Sequence, residues 1–122
     1  MVVTKLRKNN IRNEALNLFD AETHIGFGTG VTAPDEDDTD LTTPIIRIPF
    51  DEPSTKNLPL GKYDFSAILG LTEANGNDLA EMGLFDAETA GNMSVKKLLG
   101  TTVTKTTDVE LSIGLRVSVN VT

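Results

Sequence analysis

The chain has 122 residues, and 11 Lys plus Arg against 18 Asp plus Glu leave a net charge of -7. That length suits one domain, and 39% hydrophobic residues with no Trp and only 5% aromatics call for a core of Val, Ile and Leu. With no Cys and one His, the chain has no disulfide framework, thiolate zinc site, Cys nucleophile or multi-histidine metal site.

The first residues carry Lys5, Arg7 and Lys8, with Arg12 beyond, ahead of ten acidic residues between Glu14 and Glu52. Residues 1–9 are expected to form a flexible basic arm and residues 10–122 a single β domain. The arm reads either as a docking element or as a solubilising terminus. No signal-peptide h-region follows it and no membrane-length apolar run occurs, so assembly in a cytoplasm without membrane contact is expected. The acidic balance speaks against nucleic acid as a partner, because binding would bring like charges together.

Ile11, Ala15 and Leu18 fall at i, i+4 and i+7 behind Asn9-Asn10, which predicts a short N-terminal helix. Ile25 and Phe27 alternate with Gly26, Gly28 and Gly30, as in a strand whose backbone meets a close neighbour or a turn. Residues 31–40 form a polar, acidic loop. Ile45, Ile46, Ile48 and Phe50 lie around Pro44 and Pro49, so that strand is expected to be an edge or to end where Pro49 begins. Residues 51–61 read as a long connection.

Tyr63, Phe65, Ala67 and Leu69 resume the alternation, with Leu71 closing the run. Asn75-Gly76 carries the signature of a type I′ hairpin turn, leading to a strand at 79–85. A turn at 86–92 precedes Met93, Val95, Leu99 and Val103, so three consecutive antiparallel strands are expected. From Val109 to Val121 every second residue is apolar, which places one face on a core and the other toward water or a partner. The expected fold is mainly β, an antiparallel β-sandwich or open barrel with one short N-terminal helix. The hexapeptide Leu18-Phe19-Asp20-Ala21-Glu22-Thr23 recurs as Leu84-Phe85-Asp86-Ala87-Glu88-Thr89 without a sustained period, so each copy is expected to bury Leu and Phe and turn on Asp.

Candidate chemistry is sparse. Gly26-Phe27-Gly28-Thr29-Gly30 has the glycines of an anion-cradling loop but neither the Gly-Lys-Ser/Thr end nor the G-x-G-x-x-G spacing, so a packed strand end is the better reading. Asp35, Asp37 and Thr39 alternate as calcium ligands do, yet Ile46 stands where the bidentate Glu belongs, and the loop reads as solvated. His24 alone makes no catalytic triad and is expected at a surface or sheet edge. Glu81, Asp86 and Glu88 are expected in turns or on a solvent face. No enzyme activity and no cofactor are predicted.

The order of motifs is more telling than any one of them. Thr23-His24-Ile25-Gly26-Phe27-Gly28-Thr29-Gly30, Thr32-Ala33-Pro34, Asp38-Thr39-Asp40-Leu41, Asn75-Gly76-Asn77 and Glu81-Met82-Gly83-Leu84-Phe85, with Met93 beyond, resemble small structural proteins of tailed bacteriophages related to tail-collar and tail-fibre proteins. The resemblance spans roughly residues 10–121 and departs at Val31, where the pattern has a small polar residue, and in the proline-rich stretch from Pro44 to Pro59. It implies a virion component, expected as a tail, baseplate or neck adaptor or fibre-attachment protein, with a capsid decoration or head-fibre protein as the alternative. A ligand- or carbohydrate-binding β-sandwich is the rival from another class, weakened by the scarcity of aromatics. The expected partners are further copies of the chain and neighbouring virion proteins. The expected contact residues are Lys5, Arg7 and Lys8 on the arm and Arg116, Ser118 and Asn120 on the outer face of the last strand.

Overall fold

The computed structural model describes residues 2–3, 21–51, 55–57 and 62–118. The chain is mainly β, with antiparallel pairing throughout and no helix among the described residues; the expected helix at 10–19 lies outside them. A five-stranded sheet contains β1 (Val2–Val3), β2 (His24–Gly28), β3 (Pro44–Pro49), β6 (Asn77–Phe85) and β7 (Met93–Lys105), in the order β1-β7-β6-β2-β3. A three-stranded sheet contains β4 (Thr55–Asn57), β5 (Lys62–Leu69) and β8 (Leu111–Ser118), in the order β4-β5-β8.

Period-2 patterning turns one face of each sheet into a shared core. Ile25, Phe27, Ile48, Leu79, Met82, Leu84 and Val95 from the larger sheet pack with Tyr63, Phe65, Ala67, Leu69, Leu115 and Val117 from the smaller. Few aromatics are available, and three of them meet here: Phe65 lies 5.2 Å from Phe50 and 6.3 Å from Tyr63, centroid to centroid. Beyond the end of β3 the chain passes from one sheet to the other, where Asp51 N–H donates to Ser66 O of β5 and Ser66 Oγ donates to Asp51 Oδ1 (2.6 Å).

The edge position expected for the proline-bounded strand is the position of β3. Other expectations change. Residues 51–61 are not a bare connection, because β4 lies within them and pairs with β5, Lys56 opposite Tyr63. Asn75-Gly76 is not a hairpin turn: β5 and β6 belong to different sheets, so the expected run of three consecutive antiparallel strands reduces to the β6–β7 pair. Gly76 does take a positive φ of 84°, but Ala74, at φ 56°, is its left-handed companion rather than Asn75. The crossing is held by side-chain amides, with Asn75 Nδ2 donating to Leu71 O and Asn77 Nδ2 to Ala74 O.

The final strand begins at Leu111 rather than Val109, whose N–H closes a turn on Thr106 O. From there Leu115 and Val117 are buried and Leu111 and Ile113 half-buried, while Ser112, Gly114 and Arg116 are exposed, as the alternation requires. β7 is a single strand with a break in register: Leu79 faces Val103 but Glu81 faces Leu98, so extra residues of β7 bulge around Gly100, whose φ is 78°. In the second copy of the repeated hexapeptide, Leu84 and Phe85 are buried and Asp86 organises the turn, its carboxylate accepting from Asn92 N and Nδ2. Most of the first copy lies outside the described residues.

Candidate interaction surfaces and the buried polar centre

The outer face of the five-stranded sheet is closed by the chain itself. β6 directs Glu81 to that face, where it is 0% exposed instead of lying in a turn or on a solvent face as expected. Its carboxylate accepts three backbone N–H bonds, Gly30 (2.9 Å) and Thr43 (2.8 Å) on Oε2 and Thr42 (2.9 Å) on Oε1. All three donors sit at the ends of the acidic loop, so one side chain fastens both of its ends to the sheet. A buried carboxylate is tolerable only when its lone pairs are filled in this way.

The glycines of β2 and the following loop make the room. A Cβ on Gly28 would stand 2.4 Å from Thr43 O and 2.5 Å from Glu81 Oε2, and one on Gly30 2.4 Å from that same Oε2. On Gly26 it would meet the Phe85 ring at 2.5 Å. The glycine-rich run does cradle an anion with a backbone N–H, but the anion is a side chain of this protein.

A second buried charge works from β7. Lys96, 2% exposed, donates from Nζ to Asp38 Oδ2 (3.0 Å) and Thr42 Oγ1 (3.1 Å). Asp38 also accepts from Asp35 N–H, and these backbone and Lys96 bonds hold its carboxyl below the usual carboxylate range. The acidic loop is therefore tied to an internal cation at its inner carboxylate. Leu41 packs with Phe85 and Met93 beneath it. Arg47 of β3 lies 3.6 Å above the Phe85 ring and donates to Ala87 O and Ala90 O, pinning the 86–92 turn beside the loop.

The outer face of the three-stranded sheet presents the exposed Ser112, Gly114 and Arg116 of β8. Arg116, an expected contact residue, is exposed on β8 opposite Asp64 of β5 and bonds it twice, Nε to Oδ1 at 2.7 Å and Nη2 to Oδ2 at 3.2 Å. The pair lowers the Asp64 pKa and raises that of Arg116. Ser118 ends β8; Lys5, Arg7, Lys8 and Asn120 lie outside the described residues. Two residues of the expected arm, Val2 and Val3, pair with Lys96 and Val95 of β7.

The remaining polar features are local. His24 is half-buried on β2, an interior strand rather than a sheet edge, with Nδ1 2.7 Å from Thr23 Oγ1. Lys105, 0% exposed, donates to Asn75 Oδ1 and Thr106 O at the far end of β7. A groove of about 120 Å³ at the β7 bulge is lined by Val31, Ala80, Leu98, Gly100, Thr101 and Thr102, none of them charged. Among the described residues no group of three or more His, Asp or Glu is placed to hold a metal ion.

Sequence reasoning missed Glu81 and Lys96 because a single carboxylate or lysine in an alternating strand ordinarily faces water. The available signal was the glycine spacing at 26, 28 and 30 together with Gly83, which clears volume for large neighbours on one face. No family model matches the chain, and no curated protein and no solved structure matches it either.

Proposed function

We propose that this chain is a non-enzymatic structural protein of a tailed-phage virion, a β-sandwich that serves as a tail, baseplate or neck adaptor or fibre-attachment component and assembles through sheet contacts between copies. The observation that carries the reading is the ordered set of motifs from Thr23 to Phe85. In the fold several of them pack together: Gly28 and Gly30 admit Glu81, Glu81 holds Thr42 and Thr43, and Phe85 fills the space over Gly26. Residues that serve packing suit a protein that repeats as a building block. Among the described residues β8 pairs only with β5, which supplies an edge on which copies can meet.

The test is localisation on particles. Gradient-purified virions from a host lysate that contains this chain are labelled with antibody and imaged. Label at the tail, baseplate or neck is the expected result. Label spread over the head shell would replace the adaptor role with capsid decoration, and virions free of the chain would end the virion reading.

A further inference from the structure

The described sheet edges differ in how they are protected. β3 carries Pro44 and Pro49 at its ends and Arg47 between them. The outer side of β7 is covered by β1 at Val95 and Lys96 and distorted by the bulge around Gly100. β4 has only three residues. β8 has eight, without proline, lysine or a break in register, from Leu111 opposite Leu69 to Ser118 opposite Lys62. Among the described residues its other side pairs with nothing. Natural edge strands ordinarily carry a bulge, a proline or an unpaired charge that blocks pairing; the one charge on β8, Arg116, is bonded to Asp64 of its own sheet, and such a regular edge is a template for another strand.

The residues along β8 say which strand. Its outward row reads Ser112, Gly114, Arg116, with the exposed Glu110 immediately before the strand, and its inward row Leu111, Ile113, Leu115, Val117. We propose that β8 pairs antiparallel with β8 of a second copy, in the register that sets Ile113 on the two-fold axis and Glu110 opposite Arg116 of the second copy. This rests on the reading that copies meet through sheet contacts, and it supplies the strand and the register.

Symmetry makes the Glu110–Arg116 match occur twice. Each Arg116 then lies between Asp64 of its own chain and Glu110 of the other. On the inner side Leu111 meets Leu115 and Ile113 meets itself, so the half-buried Leu111 and Ile113 gain cover and the apolar face continues across the axis. Sliding the axis to Ser112 sets Glu110 opposite Gly114 and leaves Arg116 facing Asp108, which lies in the turn before the strand. Sliding it to Gly114 sets Arg116 opposite Ser112 and Glu110 opposite Ser118.

The chain has no cysteine, so single thiols report the register directly. Ser112 and Gly114 are exposed, and a Cβ on Gly114 meets nothing within 4 Å, so S112C and G114C leave the fold intact. Under mild oxidation an equal mixture of the two variants is expected to yield a disulfide-linked dimer, while neither alone does, because Ser112 faces Gly114 of the second copy. Adding Glu110→Arg to both variants is expected to abolish that product. Self-linking of S112C alone or of G114C alone moves the axis and overturns the register, and no cross-link in any sample overturns the pairing. Cross-linking by a chain absent from virions would leave the pairing standing and remove only the virion role; a chain present on virions but never cross-linked would do the reverse.

Discussion

The two outer faces of this protein use opposite charges in different ways. On the five-stranded sheet, Glu81 and Lys96 are buried and each binds the 29–43 loop, so the face is sealed by the chain's own backbone. On the three-stranded sheet, Asp64 and Arg116 also pair at close range, but in solvent, and nothing among the described residues lies over them. Buried groups that lose a partner are left with a large desolvation cost, whereas an exposed pair exchanges its partner for water. One face is thus committed to the fold, and among the described residues the other is left uncovered.

Glu81→Ala is the sharpest way to break this contrast. It strands the buried N–H of Gly30 and the part-buried N–H groups of Thr42 and Thr43, and is expected to cost about 3–5 kcal/mol, read by denaturant unfolding. A cost below about 1 kcal/mol, the size of a surface substitution with no lost buried partner, would mean that the loop is held by other contacts. Next come two glycines on opposite sheets. Gly28→Ala drives a Cβ against Thr43 O and Glu81 and is expected to cost about 1–3 kcal/mol or more. Gly114→Ala enters open space and should leave the unfolding midpoint within about 0.5 kcal/mol of the parent.

Lys96→Met keeps the buried stem but removes the bonds to Asp38 and Thr42, for an expected loss of about 1–3 kcal/mol. Arg116→Ala is expected to leave the unfolding midpoint of the isolated chain unchanged, because its ion pair with Asp64 is exposed.

Acid gives the smallest effect. The folded pKa values of Asp38 and Asp64 are lowered from 3.8, so their contribution is fully present above that value and is lost as pH falls below it through the folded values. Asp38→Asn should flatten that limb of the pH–stability curve. An unchanged limb would show that the backbone and Lys96 bonds to Asp38 add nothing to stability.

How much of this was legible depends on where each partner lies in the sequence. The inward row of β8 and the edge position of β3 follow from period 2 and from two prolines, both local signals. The crossing at 70–76 is not legible because an Asn-Gly signal says that the chain turns and does not say which sheet receives the next strand. Asn75 lacks the positive φ of the expected hairpin, and the fold takes it at Ala74 instead. The role of Glu81 was hidden for a different reason. Its partners are main-chain N–H groups of residues 30, 42 and 43, which leave no side-chain trace. Only the missing Cβ atoms of Gly28 and Gly30 mark the space it occupies, and those glycines suggested an anion cradle without revealing that the anion lay fifty residues away in the same chain.

Amide hydrogen exchange at low and high protein concentration tests both halves of the comparison at once. The N–H groups of Gly30, Thr42 and Thr43 should be protected equally at both concentrations, because Glu81 of the same chain holds them. The β8 amides that face away from β5 should exchange freely when dilute and become protected when concentrated, as a second strand adds to the edge. Rapid exchange at Gly30, Thr42 and Thr43, or β8 protection that ignores concentration, would contradict the division between a sealed face and an open edge.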